Sequence, residues 1–135
     1  MYGHLRNPVL SAYEAELCAA PPVRPTPRQA AVVEMALVAV RERRVRLPAQ
    51  VEIRWCARLG AIRGCATREG DRFAIYLNVA ALPHRRALFE VAVHELAHVS
   101  DFYTGKARTT SREDLEHRAQ AFAARVVQGE AWLGA

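Results

Sequence analysis

At 135 residues, 51% of them apolar, the chain is long enough to bury a core without staples, and one domain over residues 1–135 is expected. No stretch approaches the roughly 20 uninterrupted apolar residues of a membrane span, and the first ten residues carry no signal-peptide run, so no membrane partner and a cytoplasmic location are expected. The net charge of +5 comes from arginines scattered along the chain, with Lys106 the only lysine, a pattern that favours a solvated surface over a nucleic-acid footprint.

Residues 9–20, with Val9, Leu10, Tyr13 and Leu17, read as a short amphipathic helix, closed by the Pro-rich connector that ends at Pro27. Thr26 then offers an N-cap and Pro27 a first helical position, and residues 28–44 repeat apolar side chains at helical spacing. Val32, Val33, Ala36, Leu37 and Val40 are the expected buried stripe, and Pro48 marks the stop.

From Val51 the period changes to two. Val51, Ile53, Trp55 and Ala57 alternate with Glu52, Arg54, Cys56 and Arg58, which predicts a half-buried strand. A two-residue turn at Gly60-Ala61 would place a second strand beside it, with Cys56 opposite Cys65. After Glu69-Gly70-Asp71, residues 73–78 make a third strand, and the three are expected to form a small antiparallel sheet whose third strand offers an edge to an extended substrate. Three cysteines, Cys18, Cys56 and Cys65, without CxxC spacing, make neither a secreted disulfide framework nor a thiolate zinc knuckle. In a reducing cell, Cys56 and Cys65 are read as two small cross-strand side chains.

Pro83 opens a helix over residues 84–103, with Leu88, Val91, Ala92, Leu96, Ala97 and Val99 as a broad apolar face and Gly105 as its end. Ser111 starts the last helix in a capping-box-like sequence, and that helix is expected to run to about Trp132, burying Leu115, Ala119, Phe122, Ala123, Val126 and Val127.

The chemistry lies in His94-Glu95-Leu96-Ala97-His98. Histidines four apart on a helix project from one face and can both reach one cation at about 2.0–2.1 Å. Glu95, rotated by about 100 degrees from His94, is placed to act on a water on the open side of that cation. A catalytic zinc ion, Zn2+, usually has a third protein ligand, and Asp101, Glu116 and His117 are the candidates. Asp101 sits a turn further along and is read as an outer group; Glu116, near the start of the next helix, is preferred over His117. Gln120 shares a helical face with Glu116 and could hold a histidine tautomer. For the developing oxyanion, Tyr103, Arg108, His117 and Arg118 are candidates that the sequence does not rank.

HELAH in one helix followed by Glu116-His117-Arg118-Ala119-Gln120-Ala121-Phe122-Ala123 in the next resembles the ImmA/IrrE-type metallopeptidases, with their HExxH and ExxANxFA motifs. The resemblance covers residues 75–127. Gln120 stands where that family usually has Asn, and Val126-Val127-Gln128-Gly129 lacks its common Leu-Leu-Met-Pro continuation. The resemblance implies a minimal zincin-like α+β domain with His94, His98 and Glu116 on zinc and Glu95 catalytic. It also implies a peptide bond in a regulatory protein partner as substrate. Two rival readings are a SprT-like DNA-associated metalloprotease, for which a later histidine would complete the ligand set, and a non-catalytic zinc-binding module, in which Glu95 would have no role.

Overall fold

A computed structural model describes residues 12–134. Its element order is helix α1 (Ala12–Ala19), helix α2 (Pro27–Glu42), strands β1 (Glu52–Cys56), β2 (Gly64–Glu69) and β3 (Arg72–Asn78), then helices α3 (Arg85–Thr104) and α4 (Arg112–Gln128). The chain therefore has the expected α+β organisation, and none of its described helices is long and apolar enough to cross a membrane. Of the N-terminal helix expected over residues 9–20, positions 9–11 lie outside the described residues.

Local chemistry sets the helix ends. The Thr26 hydroxyl accepts from the Gln29 N–H at 3.1 Å and the Gln29 side chain accepts from the Thr26 N–H at 2.8 Å, so two of the first orphan amides of α2 are satisfied reciprocally. Ser111 accepts from the Asp114 N–H at 3.1 Å at the start of α4. Gly105, at φ 80°, closes α3 in the left-handed region that favours glycine. Helix α4 ends at Gln128, before the expected Trp132. Beyond Gly129 a short 3-10 turn, Ala131–Leu133, instead sets Trp132 edge-on to Phe89 with ring centroids 5.4 Å apart. Phe122 is half-buried where full burial was expected.

The sheet corrects the expectation most. It is mixed, with strand order β1-β3-β2: β2 is antiparallel to β3, but β1 is parallel to it. No tight hairpin forms at Gly60-Ala61. Asn78, 1% exposed at the end of β3, accepts from the Arg58 N–H at 2.9 Å and donates to the carbonyls of Arg58 and Ile62 at 3.0 and 2.8 Å. One buried amide thus organises the loop that carries the chain past the end of β3 to the far edge. As a result Cys56 faces Asn78 and Cys65 faces Tyr76, on opposite sides of β3, so the two cysteines are not cross-strand partners. Strand β3 is central and offers no edge to a substrate; the edges belong to β1 and β2. The near-continuous run Phe73-Ala74-Ile75-Tyr76-Leu77, buried throughout, is what a strand covered on both faces looks like.

Alternate residues of β3 serve two clusters. Phe73, Ile75 and Leu77 join the main core with Val33, Val40, Phe89, Val93, Leu96, Val99, Phe102 and Leu115. Ala74 and Tyr76 join Leu17, Cys56 and Cys65 beneath α1. Helix α3 packs against α2, α4, β2 and β3 at once.

Candidate metal centre

Helical periodicity brings His94 and His98 one turn apart on α3, and their Nε2 atoms lie 3.1 Å from each other. Helix α4 folds back along α3 and adds Glu116, whose Oε1 lies 2.5 Å from His98 Nε2 and 3.6 Å from His94 Nε2. A tetrahedral ion with bonds of about 2.0–2.1 Å needs neighbouring donors about 3.3 Å apart, and these three atoms scatter around that value. The donor set therefore fits one metal ion. His98 is 1% exposed and His94 and Glu116 are more open, which leaves the site accessible on one side. Compared with models of known families, with curated proteins and with solved structures, the chain matches none of them.

Asp101 stays outside the triangle, as expected. Its Oδ2 lies 3.6 Å from His98 Nδ1, on the far side of the ring from Glu116. Burial alone would lower the pKa of His98, but the carboxylates of Asp101 and Glu116 outweigh it and push the value up to about 9 in the metal-free chain. His117 is exposed and stands apart from the donor group. Gln120 is exposed and forms no hydrogen bond with either histidine among the described residues, although it lines a cleft with His94 and Glu95.

Glu95 is 8% exposed, and burial pushes its pKa above the ordinary carboxylate value against the opposing pull of His98 and His94. Two clefts open onto it. One, of about 270 Å³, is shared by Tyr13, Gly64, Cys65, His94 and Glu116 among others; the second, of about 220 Å³, adds Arg63, Glu90 and Val91. None of Tyr103, Arg108, His117 and Arg118 lines either cleft, whereas Arg112 lines the first and Arg63 the second. Arg112 precedes Glu116 by one helical turn, a spacing that would have pointed to it.

Gly64 fixes how closely β2 approaches the site. A Cβ there would stand 2.8 Å from the Tyr76 carbonyl oxygen, 2.9 Å from Val91 Cγ1 and 3.4 Å from Glu95 Cγ. Only a residue without a side chain lets the strand press against α3 at the level of Glu95.

Proposed function

We propose that the protein is a zinc-dependent metallopeptidase in which His94, His98 and Glu116 hold the ion and Glu95 is the general base. The observation that carries this reading is the closure of the donor triangle by Glu116 beside a buried carboxylate with a raised pKa. Two imidazoles and one carboxylate, with an open side, are the donor types of a catalytic zinc site. When bound, zinc supplies Lewis acidity, polarising the scissile carbonyl and making water a nucleophile near neutral pH.

The chain supplies the rest. The Glu95 carboxylate takes a proton from the attacking water and returns it to the leaving amine nitrogen, a task suited to a carboxylate whose proton affinity burial has raised. Asp101 orients the His98 ring from behind. Among the described residues β2 is an edge of the sheet, and its first residues, Gly64 and Cys65, line the cleft, so an extended peptide can add to it as a further strand. The preferred substrate is a peptide bond in a protein partner.

The three-histidine set expected of a SprT-like protease finds no support in the exposed position of His117. A non-catalytic module would gain nothing from a buried carboxylate at Glu95. The test is to incubate zinc-loaded protein with a proteome-derived peptide library and count new N-termini. Wild-type protein should generate them and Glu95→Gln, still loaded with zinc, should not; equal yields from the two would refute the reading.

A further inference from the structure

The three cysteines converge on the small cluster beneath α1, with Leu17, Ala74 and Tyr76, but they are not equivalent. Cys18 Sγ and Cys65 Sγ are 3.8 Å apart, two thiols in contact across 47 residues of sequence. Cys56, beyond β3, directs its thiol to the Leu77 carbonyl at 3.5 Å. Cys18 is half-buried and open to small reagents, whereas Cys65 is buried on β2. The hydrogen bond from the Cys65 thiol holds the Cys18 pKa below its ordinary value, helped by the Tyr76 hydroxyl and the Arg54 charge. The same bond, together with burial, pushes Cys65 up. Cys18 is thus the nucleophile of the pair and Cys65 its neighbour.

The pair also joins two walls of the site. Helix α1 brings Tyr13 and Glu14 into the cleft that holds His94, Glu95 and Glu116, and Cys65 lines that same cleft from β2. Glu14 Oε1 meets Arg112 Nη2 at 3.4 Å on α4. Helix α1 therefore spans the cleft from β2 to α4. Among the described residues it covers Ala12–Ala19 and has only Leu17 fully buried, so few apolar contacts hold it in place. Further attachments include the exposed Arg58–Glu16 pair at 2.7 Å and, in the connector that follows the helix, the Val23 N–H that donates to the Trp55 carbonyl at 3.0 Å.

We propose that Cys18 and Cys65 are an oxidisable pair whose disulfide pins α1 across the metal cleft and slows exchange between the site and solvent. Its effect on catalysis rests on the peptidase reading above; the disulfide and the pinning of α1 do not. The oxidant is a peroxide. The Cys18 thiolate attacks one peroxide oxygen, forming a sulfur–oxygen bond as the oxygen–oxygen bond breaks and hydroxide leaves. The Cys65 sulfur then attacks the Cys18 sulfenic acid, forming the disulfide and releasing the second hydroxide. The two thiol protons end in two waters, and the two electrons of the disulfide couple reside on the reduced peroxide. Closing from 3.8 Å to a bond of about 2.05 Å brings the sulfurs together by about 1.8 Å, a movement that a short helix tethered by a connector accommodates. A cellular dithiol reverses the bond by exchange, as befits a regulatory rather than a structural disulfide.

The experiment treats the zinc-loaded full chain with hydrogen peroxide, then maps the linkage by mass spectrometry. It also follows amide exchange over residues 12–19 and zinc extraction by 4-(2-pyridylazo)resorcinol. A Cys18–Cys65 linkage is expected, with exchange of the α1 amides and zinc extraction each slowed by about tenfold or more and restored by a phosphine reductant. Cys18→Ser should lose both effects and Cys56→Ser keep them. Linkage to Cys56, overoxidation without linkage, or a Cys18–Cys65 linkage that leaves α1 exchange unchanged would each overturn the proposal. If the chain takes up no zinc, the peptidase reading fails, while the linkage and the amide exchange still decide the pair.

Discussion

Glu116 Oε1 stands 2.5 Å from His98 Nε2, although the two residues belong to α4 and α3, which are joined through Gly105, a 3-10 turn at Lys106–Arg108 and the Ser111 cap. Their contact makes the docking of α4 part of the metal site. Loss of an outer-shell partner typically costs about 10–100-fold in metal affinity. Glu116→Ala should therefore weaken zinc binding by more than about 100-fold, with Asp101→Asn within that range and His117→Ala near wild type. Competition with a chromophoric chelator gives the ranking, and a His117 effect larger than that of Glu116 would reassign the ligand.

Protons and metal should compete at His98. Its pKa in the folded, metal-free chain is raised to about 9 from an ordinary 6.5. The stabilisation from its charged form is fully present below the unfolded value and is lost as pH rises through the folded one. The metal-free protein should thus lose stability between about pH 6.5 and 9, while zinc affinity rises over the same interval because fewer protons must be displaced. Melting curves of chelated protein and proton release on zinc addition at pH 7.5 check the two halves.

Glu95→Gln should separate function from stability. Burial disfavours the Glu95 charge, so the neutral amide should stabilise the metal-free protein by about 1 kcal/mol at pH 7 while hydrolysis is lost. A lower melting temperature for the variant would mean that the carboxylate is holding structure instead.

Two substitutions test the frame around the site. Gly64→Ala puts a methyl group 2.8 Å from a backbone oxygen and 2.9 Å from Val91, and should cost about 1–3 kcal/mol with a loss of activity beyond the loss of folded protein. Asn78→Ala leaves the loop amide and carbonyls of Arg58 and Ile62 without their buried partner, and should cost about 2–4 kcal/mol. Urea denaturation measures both, and a neutral result at Asn78 would show that the loop is held by other contacts.

The helices and the two histidines were legible because their signals are local: a Thr–Pro start, a Gly105 stop, a spacing of four. Glu116 was legible from its place one turn into the following helix. The parallel seating of β1 was not, because strand order depends on which distant partner satisfies a buried polar group, here Asn78. Nor was the approach of Cys18 to Cys65, which follows from α1 crossing the sheet face. The five-residue apolar run Phe73 to Leu77 is the readable sign of a central strand, because burial on both faces leaves no polar alternation between them.

The strand order has a kinetic side. Strands β2 and β3 meet across the Gly70-Asp71 turn and can zip on the microsecond scale of hairpins, whereas β1 must wait for the chain to loop past Asn78 before its parallel ladder forms. Trp55 rides on that late strand, and Trp132 rests on Phe89 in the core. Trp55 fluorescence should therefore report the closing of that parallel ladder, the last step in forming the sheet.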